Sequence, residues 1–167
     1  MEITTDMIKA LREKTGAGVI DCKKALTESV GDFNKACGIL EEKGIALAKK
    51  KADRAAEQGL IETYVHLGGK IGVMLELNCE TDFVAKTDEF KDLAHDIALQ
   101  IAAMSPHYIT PEEIQEEIED DPQTICLLTQ QYIKDPGKTI QDVITETIAK
   151  VGENIKVRRF ARFELGY

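Results

Sequence analysis

Leu60-Ile61-Glu62-Thr63-Tyr64-Val65-His66-Leu67-Gly68-Gly69-Lys70-Ile71-Gly72-Val73-Met74-Leu75-Glu76-Leu77-Asn78-Cys79-Glu80-Thr81-Asp82-Phe83-Val84-Ala85-Lys86 is the stretch from which the fold reads. Leu60 to Leu67 alternates, with Ile61, Thr63, Val65 and Leu67 on one side. Gly68-Gly69 is a two-residue hairpin signal. On the return strand Ile71, Val73, Leu75, Leu77 and Cys79 share one face. The period then changes. Phe90, Leu93, Ala94, Ile97, Ile101 and Met104 recur at helical spacing from about Asp88 to Met104. Residues 78–86 are therefore a strand-to-helix corner, a place where rigid scaffolds hold functional groups.

That corner carries a carboxylate, Asp82, beside two bulky apolar residues, Phe83 and Val84. It either tucks them into its own core or offers them to a partner. An aromatic beside a strand end is more often core. Either Asp82 or Thr87 caps the coming helix. If Thr87 does, Asp82 and Phe83 are free to project as a compact probe: an anion that accepts hydrogen bonds and a flat apolar wedge.

Outward from the corner, residues 1–44 read as a three-helix module. Thr4 or Thr5 caps a first helix with Met7, Ile8 and Leu11 as its stripe, and Thr15-Gly16-Ala17-Gly18 breaks it. A second helix from about Val19 to Ser29 carries Cys22, Ala25, Leu26 and Val30 on one side, and Gly31 ends it. Asp32 caps a third helix with Phe33, Ala36, Cys37 and Leu40. Residues 45–58, rich in Ala and Lys, read as a helical, solvated connector. Residues 59–167 form the main domain. Its helix over 88–104 packs on the hairpin, and Thr110-Pro111-Glu112-Glu113 opens another helix. Residues 119–138 are less regular, with Pro122, Pro136 and Gly137 as breakers. Thr139 starts a helix with Ile140, Val143, Ile144, Ile148 and Val151, ending at Gly152. Ile155 to Leu165 closes the chain as a strand, with Ile155, Val157, Ala161, Phe163 and Leu165 as its apolar side, alternating with Lys156, Arg158, Arg162 and Glu164. There Arg159 interrupts the apolar side, which either a bulge or an inward arginine with a carboxylate partner explains. The sum is an α+β chain with a three-stranded antiparallel sheet and helices on one face. The other face is covered by the connector or by a second copy of the chain.

The 167 residues carry a formal net charge of −9, which argues against a protein that tracks along nucleic-acid phosphates. The lysines 49–51 and the acids Glu112, Glu113, Glu116, Glu117, Glu119, Asp120 and Asp121 read as solvated faces. Cys22, Cys37, Cys79 and Cys126 match no zinc spacing and suit a reducing compartment. No apolar run is long enough to span a bilayer, so the expected location is cytoplasmic. Gly16-Ala17-Gly18 lies between helices and lacks the strand and third glycine of a dinucleotide fingerprint. His66, His95 and His107 make no metal pair, and neither serine, Ser29 nor Ser105, sits in a nucleophile motif. The residues point to binding, not to covalent catalysis, a metal or a cofactor.

Three stretches resemble one family. Leu11-Arg12-Glu13-Lys14-Thr15-Gly16-Ala17-Gly18 with Asp21-Cys22-Lys23-Lys24-Ala25-Leu26 is similar to the N-terminal signature of bacterial translation elongation factor Ts. Glu76-Leu77-Asn78-Cys79-Glu80-Thr81-Asp82-Phe83-Val84-Ala85-Lys86 resembles its second signature. Val151-Gly152-Glu153-Asn154-Ile155-Lys156-Val157-Arg158-Arg159-Phe160 resembles its closing segment. The matches fall in the family's order and span nearly the whole chain.

The resemblance implies a guanine-nucleotide exchange factor that binds elongation factor Tu, GDP-bound and nucleotide-free, and needs no cofactor, membrane or direct nucleic-acid contact. It implies a ubiquitin-associated-like (UBA-like) bundle touching the GTPase domain of Tu through Arg12, Val19 and Ile20. It implies that Thr81, Asp82, Phe83 and Val84 dislodge the Mg²⁺ of Tu, with Phe83 as wedge and Asp82 as its polar companion. It further implies that the segment around Gln100 and Ile101 reaches toward Tu's phosphate loop; some members carry a histidine where Gln100 stands. Longer members have a second half-core, so this chain resembles a compact form, expected to pair as a homodimer through its sheet. The competing readings are an adaptor without exchange activity and, behind it, an unrecognised enzyme.

Overall fold

The computed structural model describes residues 3–115 and 120–166; Glu116, Glu117 and Glu119 of the acidic run lie outside them. In chain order the elements are α1 (Thr5–Thr15), α2 (Val19–Glu28), α3 (Phe33–Lys51), β1 (Gln58–Val65), β2 (Ile71–Cys79), α4 (Asp82–Ala85), α5 (Asp88–Met104), α6 (Pro122–Ile125), β3 (Gln131–Tyr132), β4 (Asp135–Thr139), α7 (Ile140–Val151) and β5 (Ile155–Glu164). The fold is α+β.

The N-terminal helices are punctuated as the residues dictate. The Thr4 hydroxyl accepts the Met7 N–H, and Asp32 accepts the Lys35 N–H at 3.0 Å. Gly16, at φ 70°, closes α1 by donating to the Arg12 carbonyl at 2.7 Å. Leu11, Cys22, Ala25, Leu26, Ala36 and Leu40 form a core of their own.

The third helix does not stop near residue 44. It runs unbroken to Lys51, so residues 45–51 of the expected connector are its second half. Gly44 is a point of close approach to α7: a Cβ there would stand 3.2 Å from the Ala149 Cβ. Ala48, one turn on, packs against the main core. Lys49 and Lys50 keep a solvated face.

In the sheet, ordered β1-β2-β5, β2 is central and both pairings are antiparallel. Val73, Leu75, Leu77 and Cys79 face the helices and pack with Phe90, Leu93, Ile97 and Ile101 of α5 and Ile140, Ile144 and Ile148 of α7. On β1 the residues packed against this core are Leu60 and Tyr64. Ile61, Thr63 and Val65 share a side, as their alternation says, but it is the side away from the helices. The register sets this, pairing Leu60 with Leu77 and Tyr64 with Val73.

β5 resolves the Arg159 alternatives in favour of a bulge. Glu76 pairs with Arg159 and Leu77 with Val157, leaving Arg158 as the extra residue. The bulge exchanges the faces. Ile155, Val157 and Phe160 join the core, while Ala161, Phe163 and Leu165 turn outward. Arg159 also points outward, onto the Glu76 carboxylate at 2.7 Å.

The stretch after Ser105 differs most from expectation. Pro111–Glu113 is a single 3₁₀ turn ended by extended backbone at Ile114, and residues 116–119 lie outside the described residues. Pro122 opens α6 instead of breaking a helix, with Asp121 as its cap. Pro136 and Gly137 lie in β4, in a two-stranded ribbon where proline costs no central ladder bond.

Candidate functional site

The corner after β2 is a single helical turn with a threonine at each end. The Thr81 hydroxyl accepts the Val84 N–H at 3.4 Å and caps α4. The Thr87 hydroxyl accepts the Phe90 N–H at 3.3 Å and caps α5, while donating back to the Val84 carbonyl at 2.8 Å. Asp82 is therefore needed as a cap by neither helix. Its carboxylate takes a 2.7 Å bond from Lys86. That hydrogen bond, then the lysine charge, holds the Asp82 carboxyl below its ordinary value. Phe83 is 79 % exposed, although it neighbours Val84 and Ala85, which are buried. The turn thus holds an aromatic ring in water beside an anchored carboxylate.

Behind the turn stands the segment between α7 and β5. Glu153 accepts the Thr81 N–H at 2.9 Å and the Thr81 hydroxyl at 2.6 Å. Glu80 accepts the Asn154 N–H at 2.7 Å and meets Arg54 at 3.4 Å. The Asn154 N–H, reinforced by Arg54, lowers the Glu80 carboxyl. The Asn154 side chain donates to the Ala52 and Arg54 carbonyls at 3.2 and 2.8 Å. Lys51 donates to the Gly152 carbonyl. The Cys79 thiol donates to the Thr81 carbonyl at 3.1 Å and is pushed up to about 11 by burial and by the nearby Glu153 charge. Residues 152–154 therefore tie the corner to the end of α3.

The family model described as Elongation factor TS matches residues 6–125. The chain belongs to the elongation factor Ts family. A relative of that name from Thermodesulfovibrio yellowstonii is 54 % identical over 195 positions, covering 99 % of this chain and 98 % of its own length. Those from Thermotoga neapolitana and Carboxydothermus hydrogenoformans are each 50 % identical over 194 positions, covering 98 % and 89 % of their own lengths. The aligned spans exceed the 167 residues of this chain, so these family members carry residues without a counterpart here.

The remaining site residues named from the family signatures divide in two. Arg12, Val19 and Ile20 lie on the surface of the bundle. Val19 and Ile20 open α2 and, with Lys23, Lys24, Thr27 and Glu28, line a shallow strip with an apolar end and a charged edge. Val84, Gln100 and Ile101 lie inside instead. Val84 plugs the turn into the core, and Ile101 packs against the inner sheet face. Gln100 is fully buried: its Nε2 donates to Gln130 and to the Gln131 carbonyl, and its Oε1 accepts the Ile133 N–H at 3.0 Å. Within the chain the Gln100 amide is consumed in holding β3 on α5.

Sequence reasoning assigned no role to Glu80, Glu153 or Asn154. The only signal was that they sit inside the second and closing signatures. Polar residues between a helix and a strand otherwise read as loop. Among the described residues no group of His, Cys, Asp and Glu is placed to hold a metal ion, and no helix is long and apolar enough to cross a membrane.

Proposed function

We propose that this chain is the guanine-nucleotide exchange factor of a cytoplasmic elongation factor Tu. The observation that carries the reading is Phe83, an aromatic ring held in water on a turn capped at both ends. Arg12, Val19 and Ile20 of the UBA-like bundle anchor the factor on the GTPase domain of Tu. The Thr81–Phe83 turn then enters beside the nucleotide and dislodges Mg²⁺, with Asp82 as the polar companion of the wedge. Val84 and the Gln100–Ile101 segment support the turn and α5 from behind.

No covalent step is required. The factor needs only to bind nucleotide-free Tu more tightly than the nucleotide-bound form; linkage then weakens the nucleotide by the same factor. Burial of one phenyl ring is worth about 1.5–3 kcal/mol. Each ~1.4 kcal/mol is tenfold in an equilibrium constant. A ring buried only where Mg²⁺ has left thus suffices for one to two orders of magnitude. Mg²⁺ bridges phosphates and protein carboxylates in such sites, so disturbing it acts on both. The test is release of fluorescent GDP from Tu. Fast release with the wild type and a loss of tenfold or more with Phe83→Ala support the reading. Wild-type speed with Phe83→Ala overturns the wedge.

We also propose that two copies pair through the outer sheet face. Ile61, Val65, Met74, Phe163 and Leu165 are exposed there side by side. The occupant proposed is a second copy, because these five residues are apolar neighbours and the Arg159–Glu76 pair beside them is already satisfied within the chain.

A further inference from the structure

We infer that Glu153 is a positioning residue for exchange: its carboxylate fixes the Thr81 end of the wedge turn and so sets where Phe83 stands. This rests on the reading of Phe83 as the wedge. α4 has four residues. A helix of one turn does not hold itself, because nucleation costs more than its few hydrogen bonds return. The direction of Phe83 is therefore decided by whatever holds the two ends. The far end is local: Thr87 returns to Val84 within the same segment, and Val84 is buried. The near end is not local. Both donors of Thr81, its N–H and its hydroxyl, go to one carboxylate that lies 72 residues away in sequence.

The second of these bonds does more than tether. A threonine hydroxyl has one proton. With that proton given to Glu153 at 2.6 Å, the oxygen's lone pairs are left to accept the Val84 N–H. Glu153 thereby selects the hydroxyl orientation that caps α4. The bonds are charge-assisted, and among the described residues Glu153 forms no ion pair that would draw it elsewhere. Its own backbone is held on both sides. Lys51 binds the Gly152 carbonyl, and Asn154 bonds Ala52, Arg54 and Glu80. The carboxylate is delivered by a braced segment to the Thr81 end of the turn, where the other tie on Thr81 from outside the turn is the weaker thiol bond from Cys79 to its carbonyl.

The experiment measures fluorescent-GDP release from elongation factor Tu against factor concentration, giving a plateau rate and a half-saturating concentration. It compares wild type, Phe83→Ala, Glu153→Gln, Glu153→Ala, Thr81→Val and the Thr81→Val/Glu153→Ala double variant. Glu153→Ala is expected to lower the plateau about tenfold, with a half-saturating concentration within about threefold of wild type, since the bundle contact is intact. Glu153→Gln is expected between the two, because its amide oxygen still accepts the Thr81 N–H. The double variant is expected to be no slower than the slower single one. Amide hydrogen exchange of the free factor supplies the readout that a general loss of stability would not give: faster exchange at Thr81 and Val84 with Leu75 and Ile97 unchanged. If Phe83→Ala slows release while Glu153→Ala and Glu153→Gln keep the wild-type plateau, the inference is overturned and the wedge stands. If Phe83→Ala also keeps the wild-type plateau, the wedge reading falls and takes the inference with it.

Discussion

Arg162 reaches across from β5 to the end of α5, donating to the Ala102 carbonyl from Nε at 3.3 Å and from Nη2 at 3.2 Å. A helix C-terminus leaves carbonyls without partners and carries partial negative charge, and a guanidinium answers both needs. Glu164 holds the same group at 2.7 Å. The side chain is mostly buried. Arg162→Met keeps the length and removes the donors, leaving the Ala102 carbonyl unsatisfied. The expected cost is about 1–3 kcal/mol, read as a lower urea midpoint with an unchanged slope.

The same strand shows what the sequence could and could not say. The interruption at Arg159 was visible, and a bulge was one of two explanations. The inward arginine is Arg162 instead, because the extra residue at Arg158 reverses every later side chain. β2 and the helices over 88–104 and 140–151 were legible because burial imposes one clean period on each. β3 and β4 were not, since two and five residues give no period and contain Pro136 and Gly137. At the corner, Thr87 was legible as one of two candidate caps, Asp82 being the other, and the Thr81 cap of α4 was not. Nor was the bracing by Glu153 and Asn154, because it joins residues more than seventy positions apart.

Val30 sits at φ 52° between α2 and α3, followed by Gly31 at φ 82°. A β-branched residue in the left-handed region is strained, whereas Asn tolerates it. The side chain is exposed, so little packing is lost on replacement. Val30→Asn is expected to stabilise the chain by about 1 kcal/mol, raising Tm by roughly 2–4 °C for a chain of this size. Calorimetry showing no change or a lower Tm would count against strain at this turn.

The outer sheet face predicts its own disruption. Phe163 and Val65 are 74 % and 68 % exposed, on strands flanking Gly72 of β2. A lysine at either position places a charge in the middle of the proposed dimer contact. Val65→Lys and Phe163→Lys are each expected to give monomers in sedimentation equilibrium where the wild type is dimeric. A wild type that is monomeric at all concentrations would sink the dimer.

Stability at the two ends of the pH range is set by groups around the corner. The Glu80 and Asp82 carboxyls are lower in the folded chain than in the unfolded one. Their contribution is present above the unfolded values of about 4 and is lost as pH falls through the folded ones. The Cys79 thiol is raised from 9.0 to about 11, chiefly by burial. Its contribution is complete below pH 9.0 and declines as the unfolded thiol ionises while the folded one stays protonated, levelling near about 11. Urea midpoints should fall between those values, and Cys79→Ala should flatten that part of the profile. An equal slope in the variant would assign the alkaline loss to other groups.

Gln100 separates a core role from a contact role. Its amide satisfies Gln130, Gln131 and Ile133 at once, with no exposed surface. Gln100→Met fills similar volume but leaves the Ile133 N–H and the Gln131 carbonyl without partners. Each orphaned buried group costs about 1–3 kcal/mol. The expected outcome is a stability loss of about 2–5 kcal/mol by urea denaturation, with faster hydrogen exchange at Ile133. Per folded molecule, the half-saturating concentration for nucleotide release from Tu should stay at the wild-type value, because a side chain sealed between α5 and β3 touches no partner. A large rise in that concentration with stability intact would mean that α5 opens on binding and delivers Gln100 to Tu.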